Sequence, residues 1–185
     1  MGTPSAELVR VGKPNAAGGV SAGPLTATLP TNASSPIDNS LVGLGYISDD
    51  GLTQSIGIDT SSVNAWGGDE VRVLRTSHSL TYAFGLLEAA NADVLAEVFG
   101  EQQVDVVGDT ITVRVTKETS GRRRYVFDML DDDYAIRVVV PNGEITAQED
   151  VSFADGDAIS FGVTVSCYPD DDGVKAYIYI AKLGS

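Results

Sequence analysis

Cysteine and histidine are almost absent from this 185-residue chain, which contains one of each, Cys167 and His78. A single cysteine cannot close an internal disulfide bond, and one cysteine with one histidine cannot supply a structural zinc site. A serine hydrolase would need a histidine, an acid and a nucleophile brought together, and the one histidine, His78, shares its strand parity with apolar residues. We therefore interpret His78 as a structural or interface residue, and expect no catalysis, metal or cofactor.

Basic residues and long apolar runs are also scarce. Only 12 residues are Lys or Arg, against 26 Asp and Glu, and the formal net charge is −14. No apolar run is long enough to cross a bilayer, and the N-terminus shows no secretory signal, so we expect neither secretion nor membrane anchoring. A chain this acidic is repelled by DNA, which argues against ordinary nucleic-acid binding. The one basic run, Arg122-Arg123-Arg124, begins a predicted strand, which favours a solvated or interface role over phosphate binding.

The first 40 residues differ from the remainder in composition. They hold five of the seven prolines and no sustained periodicity. We predict an extended N-terminal arm over residues 1–40, with one short strand around residues 25–29. It is either a flexible leader or a segment that becomes ordered against a neighbouring subunit.

Residues 41–185 are predicted to form a single β-domain. Polar and apolar residues alternate over residues 70–86, and Gly67-Gly68 before them predicts a long hairpin with Trp66 near its tip. Further strands are expected over the following ranges: 41–48, 52–58, 104–107, 110–116, 122–130, 134–140, 144–151, 158–167 and 174–183. Turn signals separate several of them, including Pro141-Asn142-Gly143.

One α-helix is predicted at about residues 88–99, with Asn91 as a candidate N-cap and Gly100 just beyond its end. Strands that follow one another without intervening helices indicate antiparallel pairing. The predicted fold is therefore mainly β, an antiparallel sandwich or barrel with one flanking helix and an extended N-terminal arm.

Acidic residues are concentrated in one part of the chain. Residues 128–172 contain twelve acids and one base. Residues 131–133 and 170–172 lack the ligand spacing of a helix–loop–helix calcium site, so we interpret them as acidic turns. Acids gathered on one sheet face would create a strong negative field. Exposed strand edges beside such a face favour a subunit that assembles with other copies.

Several short segments stand in a characteristic order and spacing. They are Leu44-Gly45-Tyr46-Ile47-Ser48 with Asp50-Gly51, Ala65-Trp66-Gly67-Gly68-Asp69, residues 76–88, Val94-Leu95 and Phe99-Gly100. Together they resemble the major tail protein, or tail tube protein, of long-tailed siphophages that infect actinobacteria, and the resemblance is clearest over residues 41–100.

The resemblance implies a non-enzymatic virion subunit that forms hexameric rings, assembled in the host cytoplasm. Family members pair strands edge to edge around a channel, stack their rings into a hollow tube, and conduct DNA during genome ejection. The expected partners are the tape-measure protein and the tail-terminator and tail-tip proteins. We expect the arm and the hairpin to bridge rings through Leu25, Leu29, Pro36, Asp59, Val63, Trp66 and Asp69.

An acidic lumen would repel the phosphates of passing DNA, and we predict Glu144, Asp150, Asp155 and Asp157 as lumen residues. Strand parity separates Glu149 from Glu144 and Asp150, which predicts that these acids cannot all share one face. The alternative function is a β-sandwich binding module for a glycan or calcium, on a virion or cell surface. Five tyrosines could serve it: Tyr125, Tyr134, Tyr168, Tyr177 and Tyr179.

Overall fold

The computed structural model describes residues 9–14 and 19–183. Within these ranges the chain forms ten strands, an α-helix and a 3-10 helix, Glu101–Gln103. The elements, in chain order, are β1 (Val20–Gly23), β2 (Val42–Gly43), β3 (Thr53–Asn64), β4 (Glu70–Leu86), α1 (Ala92–Phe99), β5 (Val104–Val107), β6 (Thr110–Val113), β7 (Arg122–Asp131), β8 (Tyr134–Gln148), β9 (Phe161–Cys167) and β10 (Tyr177–Lys182).

Eight of these strands form one antiparallel sheet in the order β2-β1-β7-β8-β9-β4-β3, with β10 paired to β8. The remaining two, β5 and β6, form a separate hairpin, which we call the satellite hairpin. Strand β8 changes neighbours along its length, because β10 pairs with residues 134–139 and β9 with residues 143–148.

The main hydrophobic core is enclosed by β1, β4, β7, β8, β9 and α1. The ring of Phe127 on β7 lies 5.3 Å from that of Tyr82 and 5.4 Å from that of Phe84, both on β4. Strands that are distant in the sheet order thus meet across the core, which confirms the predicted mainly β, sandwich-like fold with one flanking helix. The alternation predicted for residues 158–167 is confirmed from Phe161 onward, because every second residue of β9 is buried, whereas residues 158–160 lie before the strand.

The turn predicted at Pro141-Asn142-Gly143 is wrong, since residues 134–148 form one continuous strand. Pro141 lies where β8 passes from β10 to β9, a position at which a missing N–H removes little pairing. Gly143 serves packing instead, because a Cβ atom there would approach Tyr125 and Val165 to 2.8 Å. Local turn preference is thus overridden at Pro141 and Gly143, which lie inside a strand.

The helix begins at Ala92, later than the predicted residue 88. Asn91 is its N-cap, as expected, and its side chain accepts a hydrogen bond from the backbone N–H of Asp93 at 2.9 Å. Glu88 lies outside the helix, where its carboxylate accepts hydrogen bonds from Tyr46 N–H at 3.0 Å and from the Asn91 amide at 2.8 Å. Glu88 therefore joins the start of α1 to the segment before β3.

The N-terminal region contains a strand at Val20–Gly23, not around residues 25–29 as predicted. This strand pairs with β7 and β2 within the main sheet. Residues 24–41, which we call the strap, cross the opposite face of β7 and β8 and contribute to a second cluster with Val126 and Val139. Residues 1–8 and 15–18 of the predicted arm lie outside the described residues, and the domain division at residue 40 stays a prediction.

A buried ion pair holds the strap on the sheet. Arg137 and Asp128 are joined at 2.5 Å and are both largely buried. The Arg137 guanidinium also donates to the backbone oxygens of Ser35, at 2.7 Å, and Asn32, at 3.1 Å. One side chain therefore satisfies the buried carboxylate and anchors two points of the strap.

Replacing Arg137 with Ala is expected to lower the free energy of unfolding by about 3 kcal/mol, because it leaves Asp128 as an unpaired buried charge. Urea denaturation measures this change. In the variant, amide hydrogen exchange should be accelerated relative to the parent more strongly in the strap than in β4. Arg114→Ala, which breaks the exposed pair with Asp105, is the control and should cost less than about 1 kcal/mol. Equal losses in the two variants would contradict the anchoring role.

Candidate assembly surfaces

A long two-stranded hairpin extends from the body of the protein. We define the projecting hairpin as β3, the turn that follows it and residues 70–79 of β4. Every residue of β3 is exposed, as are the first ten residues of β4. Ten strand residues span about 30 Å, so much of the hairpin contributes nothing to the core of its own subunit.

The tip of the projecting hairpin exposes a single tryptophan. Gly67 and Gly68 adopt positive φ angles of 125° and 100°, and the backbone of Ala65 bonds with that of Asp69 at 2.8 Å. This tight turn leaves the side chain of Trp66 fully exposed. A large aromatic side chain held in water at the end of a hairpin is typical of an interface anchor.

Apolar side chains continue along the hairpin below the tip. They are about half exposed, with no cover from the described chain: Ile56, Ile58, Val63, Val71, Val73 and Leu74. An exposed apolar surface of this kind marks a contact with another molecule. His78, which pairs with Ile58 across the two strands, is exposed on the same hairpin.

The predicted inter-ring residues fall on two separate surfaces. Asp59, Val63, Trp66 and Asp69 are all exposed on the projecting hairpin, where Asp59 accepts a hydrogen bond from Ser77 at 2.5 Å. Three further candidates lie on the strap instead. Leu25 and Pro36 are exposed there, and Leu29 is partly buried against the second cluster.

A second surface is formed by the face of β3, β4, β8 and β9 that points away from the core. Cross-strand register brings together residues with short side chains, and we call this surface the small-residue face. Its members on β3, β4 and β9 are Thr53, Ser55, Gly57, Ser79, Thr81, Ala83, Gly85, Gly162, Thr164 and Ser166. The Thr146 and Ser166 hydroxyls, 2.7 Å apart, continue it onto β8.

Two acids lie on the small-residue face, Glu144 and Glu149. Glu144 pairs with Ser166, and the backbone N–H of Glu149 donates to the Gly162 oxygen at 2.8 Å. The Glu149 side chain covers Gly162, since a Cβ atom there would meet its carboxylate. A register shift between Ile145 and Ala147 restores a shared face, so the parity that separated Glu149 from Glu144 does not hold. The sequence carries no readable signal for this shift.

The other predicted lumen acids lie off the strands. Asp150, Asp155 and Asp157 belong to the connection between β8 and β9. Asp157 lines an open groove with Glu149, Asp49 and Asp50, near the ends of β3 and β4 farthest from the tip. The structure thus brings Glu144 and Glu149 together on one face and places Asp157 at its border, while Asp150 and Asp155 lie in the connection between β8 and β9.

The acidic turns use their carboxylates within the chain. Asp131 accepts from the backbone N–H of Val11 at 3.0 Å. Asp170 accepts from the Tyr177 hydroxyl at 2.7 Å and from two backbone N–H groups, and these bonds lower its pKa. Among the residues that the structure describes, no group of three or more His, Cys, Asp or Glu is arranged to hold a metal ion, and no helix is long and apolar enough to cross a membrane.

A further buried carboxylate lies between α1 and β7. Glu97 on α1 is 2% exposed, and it accepts a hydrogen bond from the Tyr125 hydroxyl at 2.6 Å and pairs with Arg123 at 2.8 Å. Burial raises the pKa of Glu97 above its ordinary value of 4.5, against the opposing effects of Arg123 and Tyr125. These contacts join α1 to β7 beside the sheet.

The raised pKa of Glu97 predicts a pH dependence of stability. The folded state binds this proton more tightly than the unfolded state, so its contribution to stability declines as the pH rises above about 4.5. Glu97→Gln removes this titration while keeping the shape of the side chain. The free energy of unfolding of the parent, minus that of Glu97→Gln, should therefore fall as the pH rises from 4 to 8. Urea denaturation of both proteins at each pH measures this difference. A relative stability that rises over that range would contradict the assignment.

Two solved structures are similar over nearly the whole chain. One is the anti-feeding prophage cap, a tube-terminating cap, at 12% identity with a TM-score of 0.44, covering 94% of this chain and 95% of that one. The other is the sheath-tube complex of an extracellular contractile injection system in its extended state, at 9% identity with a TM-score of 0.43, covering 98% and 100%.

No curated protein sequence matches the chain. The family model described as phage tail tube protein matches residues 9–183, nearly the full length. The chain therefore belongs to the phage tail tube protein family and is a structural subunit of a phage tail.

Proposed function

We propose that this chain forms hexameric rings that stack into a hollow tail tube, through which DNA passes during ejection. The observation that carries the proposal is the projecting hairpin, which exposes Trp66 and several aliphatic side chains although its own subunit cannot bury them. Assembly would bury this surface and pair the free strand edges with those of other copies. This explains why a subunit of this family would retain an exposed apolar hairpin and unpaired edges.

The small-residue face is the best candidate for the wall of the channel. On β3, β4 and β9 this face carries short hydroxyl and methyl groups and no cationic side chain that could hold a phosphate, and Arg122 at its β8 end lies beside Glu144. Glu144 and Glu149 add negative charge at the same surface. DNA would then be repelled from the wall, since no cationic contact releases counterions. We place Asp150, Asp155 and Asp157 at the border of this lumen.

Contacts between rings are assigned to the projecting hairpin, through Asp59, Val63, Trp66 and Asp69. The strap residues Leu25, Leu29 and Pro36 are assigned to a second contact. The sequence resemblance supports a siphophage of actinobacteria, assembly in the host cytoplasm, and contacts with tape-measure, tail-terminator and tail-tip proteins. The same assignment makes the chain a non-enzymatic component of the virion.

A glycan-binding sandwich would need aromatic side chains grouped on an open surface. Tyr125 is buried in the core, and Tyr177 and Tyr179 pack with the cluster beneath the strap. The geometry therefore favours assembly over glycan recognition.

Native mass spectrometry of rings, prepared at high concentration or beside a tail-tip initiator, tests the ring size. The expected species contains six copies. A stable closed ring with any other number would contradict the hexamer and leave the family assignment unchanged.

A further inference from the structure

The connection between β8 and β9 carries an Asp-Gly pair in an exposed loop. An aspartate or asparagine before glycine is prone to a spontaneous rearrangement of the backbone, because glycine has no side chain to hinder attack by its own nitrogen. We propose that Asp155-Gly156 is the site at which the folded protein converts aspartate to isoaspartate. The sequence holds four pairs of this kind: Asp50-Gly51, Asn142-Gly143, Asp155-Gly156 and Asp172-Gly173.

The reaction needs only water and the chain itself. The backbone nitrogen of Gly156 attacks Cγ of the Asp155 carboxylic acid. The new N–Cγ bond forms as the Cγ–OH bond breaks, and the hydroxyl group leaves with the amide proton as water. Water then opens the cyclic imide at the α-carbonyl carbon and breaks its bond to nitrogen. The main chain now runs through the former side chain, and the α-carboxylate is free.

Two of the other pairs are protected by hydrogen bonds within turns. The N–H of Gly51 donates to the Ser48 oxygen at 3.0 Å, and the N–H of Gly173 donates to the Asp170 oxygen at 3.0 Å. Each turn must open before the glycine nitrogen is free to attack the preceding side chain. These bonds therefore slow the reaction at both sites.

The Asn-Gly pair is protected by the sheet. Gly143 lies inside β8 and has register partners on both sides, Arg123 on β7 and Cys167 on β9. The backbone oxygen of Asn142 also accepts a hydrogen bond from the Tyr168 N–H at 2.8 Å. Forming the imide here would require β8 to separate from its neighbours. The pair that reacts fastest in an unfolded chain is thus held in a strand.

Asp155-Gly156 has none of this protection. Residues 152–158 are all exposed, and the Gly156 N–H makes no hydrogen bond with any residue that the structure describes. Val151 and Ile159 pack against the main core and hold the two ends of the loop. The loop between them can therefore reach the reacting geometry without unfolding the domain.

Isoaspartate changes the shape of this loop and keeps its charge. The main chain becomes longer by one carbon atom, while one carboxylate is lost and one is gained. If the lumen lies as proposed, its border would change in shape but not in net charge. That consequence rests on the proposed function, whereas the reaction itself does not.

Mass spectrometry tests the proposal on the unassembled, folded protein. The protein is incubated in water enriched in ¹⁸O, then digested in ordinary water, so that a heavy oxygen marks each imide that opened during the incubation. Isoaspartate at Asp155 should accumulate about 5-fold faster than at Asp50 or Asp172, the factor that corresponds to one hydrogen bond of about 1 kcal/mol. Asn142 should remain an amide. Equal or faster reaction at Asp50, Asp172 or Asn142 would overturn the proposal.

Matched variants and unfolding separate the effect of structure from that of sequence. Asp155→Glu keeps the charge but would need a larger ring, so it should lose most of the isoaspartate, whereas Asp50→Glu should lose little. In urea, where the hydrogen bonds are absent, Asn142 should become the fastest site. An unchanged order in urea would show that the fold does not select Asp155. None of these results alters the proposed ring assembly, because no assembled protein is involved.

Discussion

Replacing residues 60–76 with an Asn-Gly turn is expected to abolish assembly while leaving a folded monomer. Asp59 and Ser77 are register partners, so a two-residue turn can join the shortened strands. The deleted residues are exposed and add nothing to the core. We expect the free energy of unfolding to change by less than about 1 kcal/mol. Sedimentation velocity should show one monomeric species at concentrations at which the parent forms rings or tubes.

Single substitutions locate this effect more finely. Trp66→Ala should raise the concentration needed for assembly by about 30-fold, the equivalent of about 2 kcal/mol for an interface anchor. Val107→Ser, on the satellite hairpin, also alters an exposed apolar side chain and should leave assembly unchanged. Normal tubes from the shortened-hairpin variant would show that the hairpin is not an assembly surface.

Reversing the charge of the small-residue face is expected to make the tube retain DNA. Glu144→Lys with Glu149→Lys replaces the acids on that face with cations that can bind phosphates. Asp133→Lys with Asp171→Lys is the matched control, because it changes the net charge equally in exposed turns off that face. Both double variants should assemble, and only the first should carry DNA in co-sedimentation at low salt.

Salt dependence identifies the cause of the retention. If about six lysines of one ring contact phosphates together, the affinity of the variant tube for DNA should fall about 10³-fold when the salt concentration rises from 50 to 200 mM. Equal retention by the two variants would indicate binding to the outside of the tube. Assembly of the Glu144→Lys, Glu149→Lys variant without DNA retention would contradict the lumen assignment.

The fold was largely predictable because period-two alternation is a strong signal. The residues of β4 from Leu80 to Leu86 and those of β9 bury alternate side chains as the pattern predicts. Pro141 and Gly143 favour a turn locally, and local preference cannot show that a strand exchanges one neighbour for another there. Tertiary pairing overrides local preference in such a strand.

The candidate site was only partly predictable. The projecting hairpin and Trp66 follow from alternation and a Gly-Gly turn, both of which are local. The shared face of Glu144 and Glu149 depends on a register shift after Ile145, which is a property of the β8–β9 pair rather than of either sequence. The strap depends on Arg137, which lies about 100 residues from its hydrogen-bond partners.

Electron microscopy of the purified protein over a concentration series, with and without a tail-tip initiator, tests the central claim most directly. The account predicts hollow tubes or stacked rings of uniform width, whose onset shifts to higher concentration in Trp66→Ala. A protein that stays monomeric at every concentration, even with the initiator present, would contradict it.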